Sequence, residues 1–148
     1  GRPVVPNFTP ADQPFEIGKA IKMVEGEDVT IFATGHLVWH ALEAAEILKQ
    51  RGISVEVINI HTIKPLDEEA VLKSVSKTKR VVTAEEHLFN GGLGDSISQL
   101  LARKMPAPVE YVAVDDKFGE SGTPAELMKA YGLDTEHVVK AVEKVLTR

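Results

Sequence analysis

The chain has 148 residues, 43% hydrophobic and 26% charged, the balance of one globular domain with a single core rather than of a disordered segment. Asp and Glu outnumber Lys and Arg by 22 to 17, a net charge of -5 that gives no basic footprint for nucleic acid or anionic lipid. The absence of Cys excludes disulfides, thiolate metal sites and Cys nucleophiles. No apolar run approaches the ~18 residues of a membrane span and no signal peptide stands at the start, so a cytoplasmic protein without nucleic-acid or membrane partners is expected.

Residues 1–14 carry four prolines without periodicity and read as an extended connector, joined to something upstream, with the domain proper over 15–148. Lys19 to Val24 form a short β-like run, and Glu25-Gly26-Glu27-Asp28 reads as a tight turn that returns the chain antiparallel into Val29 to Ala33. The first strand is then an edge strand, its two lysines discouraging further pairing. After Thr34-Gly35-His36, the apolar residues Val38, Ala41, Leu42, Ala45 and Leu48 fall at helical spacing up to Gly52. Ser54 to Ile60 alternates as a strand, with Glu56 among its polar positions. Asp67 is placed to cap a helix reaching about Ser76, with Leu66 and Val71 spaced as a hydrophobic staple.

The central stretch, Arg80 to Asp95, reads as strand, loop, helix. Its helix ends near Lys104, and Val109 to Val114 gives a further parallel strand. Thr123-Pro124-Ala125-Glu126 is a capping box for a helix that stops at Gly132, after which Asp134 caps a last helix through Val138, Val142 and Val145. This order predicts a three-layer α/β/α fold, a mostly parallel five-stranded sheet with one antiparallel edge strand and helices on both faces.

The candidate site lies at the carboxyl end of the central strand, where open α/β sheets meet ligands and partners. Glu85, Glu86 and His87 offer two carboxylates beside an imidazole, a set that could do acid–base work if burial shifted them. Gly91, Gly92 and Gly94 could bring a helix start close to an anion, since its free N–H groups point outward there. The glycines miss both the dinucleotide fingerprint and the phosphate-loop pattern. Glu86, His87, Gly91, Gly92 and Gly94 are therefore interface or anion-binding candidates, with no residue assigned to catalysis, cofactor or metal. His36 and His40 stand at helical spacing but suit a surface or helix-start role better than zinc. His61 and Lys64 could meet a phosphate, but an exposed connector is the better account of them; Asp115 with Asp116 could hold magnesium, but adjacent carboxylates more often form a solvated turn.

Phe32-Ala33-Thr34-Gly35 followed by Ala41-Leu42-Glu43-Ala44-Ala45, Lys64-Pro65-Leu66-Asp67, and Val82-Thr83-Ala84-Glu85-Glu86-His87 with Gly91-Gly92-Leu93-Gly94 resemble the C-terminal domain of transketolase. The likeness runs over nearly the whole chain with its motifs in order. The segment Asp116 to Pro124 with Tyr131-Gly132-Leu133 is most similar to transketolases, including split-gene forms. Related domains occur in deoxyxylulose-phosphate synthases and in β subunits of 2-oxo acid dehydrogenase decarboxylases, which stay open as alternatives beside a free-standing phosphate- or nucleotide-binding domain. The resemblance implies a module of an enzyme moving a two-carbon ketol unit between sugar phosphates. It also implies that thiamine diphosphate and magnesium sit between pyrophosphate- and pyrimidine-binding domains of paired subunits. By this resemblance the present domain is a dimeric enzyme's packing module, binding no cofactor and inactive alone.

Overall fold

The computed structural model describes residues 18–86, 92–114 and 124–148. The expected connector, His87, Gly91 and the Asp115–Asp116 pair lie outside the described residues. Five strands, β1 (Ile21–Val24), β2 (Val29–Ala33), β3 (Val55–Asn59), β4 (Val81–Glu86) and β5 (Val109–Val114), alternate with helices α1 (Leu37–Gln50), α2 (Glu68–Thr78), α3 (Leu93–Lys104) and α4 (Pro124–Val145). They form one sheet in the order β1-β3-β2-β4-β5, with β1 antiparallel to β3 and every other pair parallel. This is the mixed α/β sheet that the sequence predicts.

Strand residues divide by parity, because successive side chains leave opposite faces of a strand. Val29, Ile31, Ala33, Val55, Val57, Val82 and Ala84 pack against Ala41, Ala44 and Leu48 of α1 and Val138, Val142 and Val145 of α4. Phe32, Ile58 and Val81 face the other way, onto Val71 and Val75 of α2 and Leu93, Ile97 and Leu101 of α3. The central strands β2 and β4 are buried at every position, so they show no alternation of apolar with exposed polar residues, and the polar residues they carry, Thr30, Thr83, Glu85 and Glu86, are buried too. Each fully buried Val, Leu or Ile contributes about 1.5–3 kcal/mol to this two-sided core.

Local chemistry sets the helix ends as expected. Gly52 has φ 79°, and its N–H donates to Lys49 O while Ile53 N–H reaches Leu48 O, a Schellman stop for α1. Asp67 caps α2 by accepting the Ala70 N–H at 3.2 Å, and its second oxygen accepts the Ala20 N–H at 2.8 Å, tying the approach to β1 onto the helix. Among the described residues no helix is long and apolar enough to cross a membrane.

Two expectations are overturned. The Glu25–Asp28 segment does not fold β1 back onto β2: β1 pairs with β3, and β3 separates the two. The reason is reach and contact. Four residues extend about 13 Å, enough to cross two strand spacings of about 4.8 Å. The segment crosses the start of β3, where a Cβ on Gly26 would lie 2.2 Å from Val55 C. Glu27 N–H donates to Ser54 Oγ, Asp28 N–H to Ser54 O, and Ser54 N–H back to Asp28 Oδ2, which fastens the crossing.

The two C-terminal helices expected on either side of Gly132 are one continuous helix, α4. A helical glycine costs only about 1 kcal/mol, and the Val138, Val142, Val145 face buried against α1 and the sheet outweighs it. Thr135, which follows the expected cap Asp134, contacts His40 of α1 from within this helix.

Candidate functional site

The chain leaves β2 through α1 toward β3 on one side and leaves β4 through α3 toward β5 on the other, so the carboxyl ends of β2 and β4 flank the point where the winding reverses. Glu85 and Glu86 close β4 there, each only 8% exposed. As neighbours in a strand they point to opposite faces and cannot act as a pair.

Glu85 turns toward α3. Its two oxygens accept the Leu93 N–H at 3.3 Å and the Gly94 N–H at 2.8 Å, the first donors of that helix. Gly92 enters α3 with φ 121°, a conformation that glycine adopts without strain. Gly94 lets the backbone close in, since a Cβ would meet Tyr111 Cδ1 at 2.7 Å and Thr83 Oγ1 at 3.2 Å. Glu86 turns the other way and accepts the N–H of His36, the residue preceding α1, at 3.2 Å. The crevice thus holds two carboxylates of the chain itself, each seated on the positive end of a helix. A phosphate approaching α3 would have to displace Glu85 from the donors it needs.

Of the candidates, Glu86, Gly92 and Gly94 come together at this end of the sheet. Glu85 carries the tightest contact there; strand parity is the signal that separates its role from that of Glu86.

Two further polar clusters sit away from the crevice. His40, expected near the surface with His36, is wholly buried under α4: its Nδ1 lies 2.9 Å from Thr135 Oγ1 and its Nε2 3.7 Å from Asp134 Oδ2. Burial, with a smaller push from the His36 charge, lowers its pKa to about 4, so the ring is neutral at pH 7. It faces α4 rather than His36, and among the described residues no three His, Asp or Glu side chains gather as metal ligands.

At the opposite end of the sheet, Glu56 of β3 is fully buried. Its oxygens take Lys77 Nζ at 2.6 Å, Ser74 Oγ at 2.6 Å and the Gly26 N–H at 3.2 Å. Thr30 extends the chain of hydroxyls, 2.7 Å from Ser74 and 2.6 Å from Thr78. Burial would raise the Glu56 carboxyl, but the Lys77, Ser74 and Gly26 bonds and the Lys22 charge together hold it below the usual carboxylate range. The sequence hid this cluster, because Lys77 and Glu56 stand 21 residues apart.

Residues 18–138 match the sequence profile of the family described as "Transketolase, C-terminal domain". The chain is 48% identical over 134 residues to the 6-deoxy-6-sulfo-D-fructose transketolase subunit of Clostridium sp. (strain MSTE9), covering 90% of this chain and 42% of that protein. It is 35% identical over 140 residues to the transketolase of Homo sapiens, covering 93% and 22%. A solved split-gene transketolase, described as an inactive β4 tetramer, superposes with a TM-score of 0.82 at 45% identity, covering 97% of this chain and 47% of that one. The chain thus spans less than half the length of these relatives. The chain belongs to the transketolase C-terminal domain family.

Proposed function

We propose that this chain serves as the C-terminal assembly module of a transketolase in the cytoplasm, an enzyme that moves a two-carbon ketol unit between sugar phosphates. Its partners are the pyrimidine- and pyrophosphate-binding domains of the same homo-oligomeric enzyme, which hold thiamine diphosphate and magnesium. The chain's own part is to pack against those domains, with Glu86, His87, Gly91, Gly92 and Gly94 at the contact.

The observation that carries this reading is the occupied crevice. A pyrophosphate needs free N–H donors at a helix start, and here Glu85 takes those of Leu93 and Gly94. The described residues at this end of the sheet therefore do not fit the cofactor, and no chemical step is routed through them. The description of a 45%-identical relative as an inactive β4 tetramer supports an assembling rather than a reacting chain.

Calorimetric titration of this chain with thiamine diphosphate and magnesium is expected to give no binding heat, and a coupled assay on xylulose phosphate no turnover. Adding a chain that carries the two catalytic domains should restore turnover. Saturable cofactor binding at micromolar concentration by this chain alone would overturn the assignment.

A further inference from the structure

The two edges of the sheet are guarded very differently. β1 is four residues long, carries Lys22, and its ladder to β3 is interrupted between Lys22 and Val24, three devices that discourage a new strand from pairing. β5 has none of them: its six residues pair in unbroken register with β4, and it contains neither Lys nor Pro.

Which β5 groups face outward follows from the ladder. Val81 N–H donates to Pro108 O at 3.1 Å, so the even-numbered residues turn their backbone groups toward β4 and Val109, Tyr111 and Ala113 turn theirs away. Arg148 Nη1 closes the first outward carbonyl, Val109 O, at 3.1 Å. Among the described residues nothing pairs with the N–H and C=O groups of Tyr111 and Ala113. Tyr111 is 57% exposed, one of two large hydrophobic side chains standing out in solvent among the described residues.

A groove of about 430 Å³ runs along this edge, between Glu110, Tyr111 and Ala113 of β5 and His137, Lys140 and Lys144 of α4. The last three share one helix face by their spacing, and all are exposed. Lys140, Lys144 and Arg148 outnumber the local carboxylates Glu110 and Glu136, which they pair at the surface. Among the described residues this rim is net positive, on a chain of net charge -5.

We propose that the β5 edge is a docking site for an extended acidic segment of a partner protein, which adds to the sheet as a further strand beneath the basic face of α4. Main-chain bonds to Tyr111 and Ala113 supply the register, and Lys140 and Lys144 select acidic side chains. A second copy of this chain fits poorly. Two-fold antiparallel pairing of β5 would put both α4 helices on the same face and bring their lysines together. The inference does not depend on the transketolase reading.

The test is an NMR titration of the protein with a blocked ten-residue peptide of alternating Glu and Val, against its Lys-Val counterpart. The acidic peptide should shift the Tyr111 and Ala113 amides and slow their exchange, and should bind more weakly between about 0.02 M and about 0.3 M salt. The basic peptide should not bind. Ala113→Pro removes only an outward N–H, so the fold should survive while binding is lost. Lys140→Glu with Lys144→Glu should weaken binding roughly tenfold. Equal binding of both peptides, shifts centred elsewhere, no binding at millimolar peptide, or a dimer of the free chain that Ala113→Pro dissolves would each overturn the proposal.

Discussion

Two glutamates lie buried at opposite ends of the sheet, and each accepts an N–H from a glycine at a close approach of the chain. At the amino end Glu56 takes Gly26 N–H, with a lysine and a serine beside it; at the carboxyl end Glu85 takes Gly94 N–H and Leu93 N–H, with no cation paired to it among the described residues. The first joins β1, β3 and α2 through side chains; the second joins a strand end to a helix start through main chain. The difference marks where the fold is anchored and where, in the proposed assembly, it would meet other domains. A cation-paired carboxylate deep in the sheet is scaffold, whereas one seated on a helix start occupies the place a ligand would take.

The comparison is broken most severely at Gly26. A Cβ there would lie 2.2 Å from Val55 C and 2.3 Å from Glu56 N, backbone atoms that cannot swing aside. Gly26→Ala is expected to cost at least about 3 kcal/mol, because the crossing must lift off β3 and release Glu56. Urea unfolding would measure it, and a loss under about 1 kcal/mol would mean that the crossing is not held against β3.

Next comes Lys77. Lys77→Met leaves the Glu56 charge in the core with Ser74, the Gly26 N–H and the Lys22 ammonium 3.8 Å away, and should cost about 3 kcal/mol. Combining it with Glu56→Leu should recover most of that loss, since an apolar pair of similar volume has no charge to desolvate. A double-mutant cycle with no recovery would show that the cluster contributes more than its ion pair.

These contrasts explain what could and could not be read from the residues. The strands and α1 to α3 were legible because the apolar runs, Gly52 and Asp67 act locally, over a turn or two of chain. The β1 neighbour was not, since a four-residue link measures distance and not which strand is met; only the glycine inside the link hinted at a close crossing. Gly132 and Asp134 spelled a local stop and restart, yet a long-range partner, His40, claims Thr135 and the valine face keeps the helix whole. Glu56 looked like the solvent side of an alternating strand, because its cation lies on another element. At the crevice, position along the chain was enough to place Glu86, Gly92 and Gly94 at one end of the sheet, while Glu85's distinct contact needed the parity of the strand.

Acid separates the side-chain network from the buried histidine. His40, lowered to about 4 from 6.5 by burial, is protonated more readily in the unfolded chain. Its contribution is therefore complete above pH 6.5 and declines as pH falls toward 4, by roughly 2 kcal/mol after allowance for the nearby Asp134 and Glu43 carboxylates and the His36 charge. Glu56, held below the usual carboxylate range, keeps its full contribution above the ordinary value of 4.5 and loses it as pH falls from there through its own lowered value. His40→Asn should flatten the stability profile between pH 6.5 and about 5, above the range in which Glu56 titrates. A slope that survives the substitution would assign the mild-acid loss to another group.

At the carboxyl end the expected changes are smaller and local. Glu85→Ala strips two charge-assisted acceptors from the start of α3 and should cost about 2 kcal/mol, with faster hydrogen exchange at Leu93 and Gly94. Unchanged exchange there would separate Glu85 from the anchoring of α3.

Gly94→Ala sharpens the contrast with Gly26 most directly. Its Cβ would also arrive too close, 2.7 Å from Tyr111 Cδ1, but that ring is 57% exposed and can turn outward, giving up its contact with Ser98 Oγ. Alanine in the first turn returns up to about 1 kcal/mol of helix propensity, so the net change should stay within about 1 kcal/mol of zero. Thermal unfolding would show it, and the Tyr111 ring resonances should shift while the Leu93 amide stays protected by Glu85. Were Gly94→Ala as costly as Gly26→Ala, the α3 start would have to be as rigidly walled as the β3 crossing, and the distinction between anchor and meeting surface would fail.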